Sequence, residues 1–200
     1  MTDFDARART WDADPARIER AQRVAELILR EARLRPDASV LEYGCGTGLL
    51  GLALRPHVGA ITLADTSREM LAVAREKIAA MGAKNATTLE LDLTAGPVPA
   101  TRYDLVCTLL ALHHIADVGA ILERFHELLS PGATVCIADL DEEDGSFHGP
   151  GAVAHDGFDR AELAARLQRA GFENVRFTTC CEVVKDGRRY PAFAALANRR

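Results

Sequence analysis

Short apolar runs alternate with longer amphipathic stretches along the chain. Residues 39–43 (SVLEY), 60–64 (AITLA), 87–91 (TTLEL), 103–109 (YDLVCTL) and 133–138 (ATVCIA) have strand length and are rich in β-branched and aliphatic side chains. Helical spacing fills the gaps. Ile18, Ala21, Ala25 and Ile28 share one face of a helix that Asp14 caps, Pro15 opens and Pro36-Asp37 end. A short helix over residues 48–55 follows the first strand. Thr66 and Glu69 read as a capping box for a helix that turns Met70, Leu71, Val73, Ala74 and Ile78 inward and closes at Gly82. Asp117 starts another, with Ile121, Leu122, Phe125 and Leu128 on one face and Pro131-Gly132 as its stop. Asp159 and Glu162 make a second capping box, for a helix ending at Gly171. Residues 174–184 and 190–198 then form two strands joined by a turn at Asp186-Gly187.

Strands alternating with helices predict an α/β fold, with a doubly wound, mostly parallel sheet and helices on both faces. The terminal hairpin adds an antiparallel strand. The loosest stretch is 140–157, rich in glycine and acid.

Composition narrows the class. With 200 residues, 48% hydrophobic and 26% charged, the chain reads as one soluble globular domain that needs no staple. A net charge of −5 leaves no basic field for phosphates, which excludes a nucleic-acid partner on charge grounds. The N-terminus has no apolar core of a signal peptide, and the longest apolar stretch, 106–112, is far short of the roughly 20 residues of a membrane span. A cytoplasmic monomer or homodimer without a membrane partner is the expectation. Cys45, Cys107, Cys136, Cys180 and Cys181 are odd in number and lack a CxxC pair, so they read as reduced thiols. Cys180 and Cys181 are expected on opposite faces of their strand.

The chemistry centres on GCGTG, immediately after the first strand. In such sheets ligands bind beyond the carboxyl ends of the strands, at the switch point beside the first strand. Gly44, Gly46 and Gly48 let backbone approach a ligand closely. Asp65 ends the second strand, where a carboxylate can accept from the two ribose hydroxyls of a nucleotide-like cofactor. Gly46, Gly48 and Gly51 also spell GxGxxG, the dinucleotide fingerprint, so a nicotinamide-dependent oxidoreductase competes. The acids argue against it. Glu42 stands where a pyrophosphate would be repelled, and Asp92 places a third acid at the end of the third strand. The sulfonium and ammonium of S-adenosylmethionine suit such a site.

The runs VLEYGCGTG, LADTS, LELDL, YDLVCTLLALHHI and LLSPGATVCIAD resemble, in order, the motifs of class I S-adenosylmethionine-dependent methyltransferases. They are most similar to the small-molecule group that includes the ubiquinone/menaquinone C-methyltransferases. The resemblance implies a seven-stranded, Rossmann-like sheet of order 3-2-1-4-5-7-6 with the last strand antiparallel. It implies a layout of N-terminal helical lid (1–37), cofactor core (38–139), acidic lid loop (140–158) and C-terminal helix with hairpin (159–200). It also implies that Glu42, Tyr43, Gly44, Cys45, Gly46, Thr47 and Gly48 line the methionine end of the cofactor and that Asp65 holds the ribose. Thr66 and Met70 then flank the adenine, Asp92 and the backbone of Leu93 read its edge, and Leu109 and His114 close the amino-group side.

His113, just past the fourth strand, is the candidate catalytic residue, as a base or as a donor to the acceptor. Trp11, Phe147, His148 and His155 are the candidate acceptor residues, with Phe4 near the N-terminus. Asp139, Asp141, Glu142, Glu143 and Asp144 read as a solvated acidic lid without metal-ligand spacing, so no metal is expected. Asp104, at the far end of its strand, reads as structural. No (D/N)PPY follows the fourth strand, which discounts planar amide or adenine nitrogens as targets. A small-molecule acceptor fits the length. A non-catalytic protein that only binds the cofactor would keep the same glycines and acids.

Overall fold

The computed structural model describes residues 3–149 and 152–200. Its strands are β1 (Ser39–Tyr43), β2 (Ala60–Asp65), β3 (Ala86–Glu90), β4 (Tyr103–Leu109), β5 (Leu129–Leu140), β6 (Phe172–Lys185) and β7 (Arg188–Arg199). They form one seven-stranded sheet in the order β3-β2-β1-β4-β5-β7-β6. β1 to β5 pair in parallel, while β7 runs antiparallel between β5 and β6. The predicted fold class and strand order are those observed.

The helices are α1 (Asp3–Arg7), α2 (Pro15–Glu31), α3 (Leu49–Leu54), α4 (Arg68–Ala80), α5 (Val118–Leu128) and α6 (Arg160–Arg169). Each sheet face packs its own set. Val24 and Ile28 of α2, Leu50 and Leu54 of α3 and Leu71 and Ala74 of α4 share a core with Val40, Leu63, Leu105 and Cys136. Ile121, Leu122 and Phe125 of α5 and Leu163 and Leu167 of α6 share another with Leu41, Val106, Val135 and Phe193. Central strands sandwiched in this way must be apolar on both sides, which is why β1, β4 and β5 read as continuous rather than alternating runs.

Side-chain caps set the helix starts. Asp14 accepts from Ala16 N, Asp117 from Ala120 N and Asp159 from Glu162 N. The capping box at Thr66 is corrected: Ser67 is the N-cap, and its Oγ accepts from Met70 N at 3.2 Å. Pro131-Gly132 does not stop α5. The helix ends at Leu128, and the two residues lie inside β5, where the pairing with β4 slips between Tyr103 and Leu105. A second irregularity lies between Thr179 and Cys181 of β6. It breaks the alternation of side chains, so the sulfurs of Cys180 and Cys181 sit 3.7 Å apart instead of on opposite faces. At the hairpin, Asp186 and Gly187 both take positive φ, as a two-residue turn between twisted strands requires.

The 140–157 stretch is more ordered than its composition suggests. Glu142 N donates to Phe158 O and Glu143 N to Asp156 O. Arg160 grips Asp141 through two bonds of 2.6 and 2.7 Å. Asp104 is structural, accepting from Ser39 N and Oγ. No described helix is long and apolar enough to cross a membrane.

Helix α3 must lie close to the sheet to aim its first turn at the cleft, and Gly51 permits this. A Cβ there would lie 2.3 Å from Leu63 Cδ2 and 2.7 Å from Glu42 Oε2. Gly51→Ala is expected to destabilise the fold by about 1–3 kcal/mol despite the better helix propensity of alanine. Urea denaturation checks this, and a gain in stability would show that the contact has slack.

Candidate active site at the carboxyl ends of the strands

The site is built around the turn from β1 into α3. Gly44, Gly46 and Gly48 have φ of 68°, 53° and 80°, a region that side chains strain to enter. At Gly44 there is also no room, because a Cβ would lie 2.6 Å from Ala111 Cβ. Two strands thus bring their ends together over this turn.

Asp65, at the end of β2, locks the turn from one side. Its Oδ2 accepts from Gly46 N at 2.7 Å and its Oδ1 from Ser67 N at 2.8 Å. Burial raises its pKa against the pull of these amides. Glu42 locks it from beneath. Only 2% exposed, it accepts from Gly51 N at 2.8 Å and does not reach the cleft surface. Burial pushes its pKa up to about 8. Tyr43 is another brace: its hydroxyl accepts from Leu93 N at 3.2 Å. That bond already engages the N–H of Leu93. Asp92 is exposed, and Oδ1 accepts from Thr94 N and Oγ1, which lowers its pKa. Cys45 is buried and donates to Gly46 O.

The N-terminal segment lies over this turn. Asp12 accepts from Thr47 Oγ1 at 2.5 Å and from Lys77 Nζ at 2.7 Å, and Lys77 also donates to Thr47 O. Asp5 accepts from Ser67 Oγ at 2.6 Å. Trp11 Nε1 would lie 3.8 Å from a Cβ on Gly46, and Met70 Sδ 3.9 Å from it. Arg17 stacks on the Trp11 ring at 4.0 Å. Phe4 meets Trp11 edge-on at 6.0 Å and His114 at 5.2 Å.

The residue that sequence reasoning misplaced is Asp139. It is no part of a solvated lid, being wholly buried at the end of β5. Its Oδ1 meets His113 Nδ1 at 2.6 Å, and its Oδ2 accepts from the amides of Leu112 and His113. The available signal was positional: an acid ending an apolar strand run, as Asp65 does. His113 is 2% exposed and its Nε2 lies 3.1 Å from His148 Nε2. His148 and His114 are pushed down to about 4, by burial first and neighbouring imidazoles second, so both are neutral near pH 7.

Other acceptor candidates divide. Phe147 packs edge-on against His148 and Tyr190 and stays with the cluster. His155 does not: its Nε2 faces the carbonyls of Ile115 and Ala116, which makes it a strut for the loop. It also borders a separate cavity of about 340 Å³ with Glu142, Asp156 and Arg166, which holds none of the other predicted residues.

The donor set suits S-adenosylmethionine. The glycine cradle is flanked by Asp65, whose carboxylate can serve the ribose. Thr108 Oγ1, buried beside Gly44, has no hydrogen-bond partner among the described residues and can serve a ligand there.

This fold and site define a class I methyltransferase architecture. Residues 16–176 match the family described as "Methyltransferase domain", and the chain belongs to that family. It is 30% identical over 153 residues to an uncharacterized methyltransferase of Schizosaccharomyces pombe, covering 68% of this chain and 54% of that one. It is 30% identical over 170 residues to the ubiquinone biosynthesis O-methyltransferase of Xanthomonas axonopodis pv. citri, covering 84% and 68%. A crystal structure of a SAM-dependent methyltransferase from Aquifex aeolicus superposes with a TM-score of 0.74 at 23% identity, covering 98% of both chains. The chain spans about half the length, or less, of several curated relatives it matches. The family match favours the S-adenosylmethionine reading of the glycine turn over the nicotinamide one.

Glu42 supplies a pH test of the turn. Its folded pKa of about 8 lies above the unfolded value, so the folded state holds the proton more tightly. The stability this contributes is complete below about pH 4.5 and is lost as pH rises through 8. Glu42→Gln keeps an acceptor for Gly51 N, and its denaturation midpoint is expected to vary less between pH 5 and 8 than that of the parent. An unchanged pH profile would remove Glu42 as the cause.

Proposed function

We propose that the protein transfers the methyl group of S-adenosylmethionine to an oxygen of a small-molecule acceptor, with His113 as the catalytic residue. The observation that carries this reading is the buried Asp139–His113 pair beside the glycine turn. Family membership supports the transfer. Two relatives carry O-methyltransferase in their names, which supports an oxygen acceptor.

When bound, S-adenosylmethionine supplies a methyl group activated by a positively charged sulfur. In this reading Gly44, Cys45, Gly46, Thr47 and Gly48 pass its methionine end, with Glu42 and Tyr43 bracing them from below. Asp65 holds the ribose with the lone pairs its two amide bonds leave over. Thr66 and Met70 flank the adenine, Asp92 and Leu93 border it, and Leu109 and His114 close the remaining wall.

Asp139 accepts from His113 Nδ1, which fixes the tautomer and turns Nε2 toward His148 Nε2, 3.1 Å away, so that His113 reaches the acceptor side through that contact. Through it, Nε2 loosens the hold of the acceptor oxygen on its proton. The carboxylate stabilises the positive charge that gathers on the imidazole as it does so. Phe4 and Trp11 from the N-terminal segment and Phe147 and His148 from the loop exclude water, which matters because a misplaced water competes for the methyl group.

Two outcomes test the reading. Asp65→Ala is expected to weaken S-adenosylhomocysteine binding roughly 10–100-fold in calorimetry, the size of one lost hydrogen bond to a charged group. Unchanged affinity would move the ribose elsewhere. His113→Ala is expected to lower kcat by about 10²–10⁴ against an acceptor found by screening phenols and carboxylic acids for S-adenosylhomocysteine release. Its affinity for S-adenosylhomocysteine should stay the same. Full turnover at saturating acceptor would take His113 out of the chemistry.

A further inference from the structure

We propose that His113, His114 and His148 together bind one divalent transition-metal ion, and that the acceptor oxygen occupies its open coordination position. The inference rests on the reading of His113 above and deepens it.

One ring nitrogen from each histidine lies within 4.8 Å of the other two. Among the described residues this is the only such group of three. The Nε2 atoms of His113 and His148 are 3.1 Å apart. Two ligands held at about 2.0–2.1 Å in a tetrahedral zinc site are separated by roughly 3.3–3.4 Å. The closest pair therefore already has nearly the spacing an ion demands, and His114 has to close by at most about 1.5 Å.

The three rings come from two segments. His113 and His114 sit on the short 3-10 turn Leu112–His114, and His148 arrives from the loop after β5. Their ring centroids are 4.1, 5.0 and 5.3 Å apart. His114 keeps an exposed edge, which leaves an ion a way in.

Asp139 supplies the outer shell. A metal-bound histidine characteristically donates its second N–H to a carboxylate, which fixes ring and tautomer. His113 has this arrangement in full: its Nδ1 is 2.6 Å from a wholly buried carboxylate. Among the described residues no thiolate or carboxylate completes a fourth corner of the group. Three imidazoles with one position open are the donor set of catalytic rather than structural zinc sites.

The proton balance is simple. With His113 Nδ1–H given to Asp139, the short contact at Nε2 needs the proton of His148 Nε2. On metal binding that proton moves to His148 Nδ1, both Nε2 lone pairs face the ion, and no net proton is released. An acceptor hydroxyl at the open position then loses its O–H proton to solvent more readily, because the ion stabilises the oxyanion. With the ion bound, His113 Nε2 is spent as a ligand, and the ion takes over its part in loosening the acceptor proton.

The test uses full-length, tag-free protein stripped with chelator and titrated with Co²⁺ in the spectrophotometer and with Zn²⁺ in the calorimeter. Uptake of one ion per chain is expected, with intense visible bands of four-coordinate Co²⁺. His148→Ala and His114→Gln should each bind at least about tenfold more weakly. Circular dichroism on the same samples reports that the variants are folded, and S-adenosylhomocysteine binding is measured on the parent protein. No stoichiometric uptake, or uptake unaffected in both variants, overturns the site; with His113-dependent turnover intact, the trio is then a proton relay and the proposed function stands. Ion uptake without any S-adenosylhomocysteine binding overturns the proposed function and leaves the metal site.

Discussion

The architecture depends on one constraint: the chain must leave β1, reverse hand and enter α3 with its amides exposed to a ligand. Only a turn with repeated positive φ does this, hence the glycines at 44, 46 and 48. Such a turn is soft, and the surrounding residues stiffen it. Asp65 and Glu42 hold its amides from the side and from below. Asp12 and Lys77 hold Thr47 from above. Burial raises the pKa of both carboxylates, that of Glu42 to about 8, so Glu42 keeps its proton near pH 7.

A second fixed point lies two strands away. Asp139 stands at the end of β5 as Asp65 does at the end of β2, and it too binds backbone amides of a neighbouring loop, those of Leu112 and His113. Its remaining capacity goes to His113. The two carboxylates thus organise two adjoining turns at the carboxyl ends of the strands, which the proposed function assigns to the cofactor and to the acceptor. Phe4 bridges them, touching Trp11 on one side and His114 on the other.

Much of this was legible in the order of residues. Parallel strands buried on both faces have a distinctive run composition, and the glycine turn with acids at the ends of β1, β2 and β3 marks the cofactor end. What escaped has physical reasons. Thr66 and Ser67 are adjacent hydroxyls, and only the backbone decides which one caps α4. Asp139 heads a run of acids, so its burial is hidden by its exposed neighbours. Alternation assigns Cys180 and Cys181 to opposite faces, and the bulge that joins them leaves no mark in composition. His155 looked like a ligand residue because nothing local reveals that Ile115 and Ala116 point carbonyls at it.

The central claim is that the glycine turn and the N-terminal segment form one cofactor cradle. Amide hydrogen exchange with and without saturating S-adenosylhomocysteine tests it most directly. The account predicts slowed exchange in two places together, residues 44–48 and residues 5–13, with little change in β6 and β7. No protection at the turn, or protection confined to the far edge of the sheet, would contradict it.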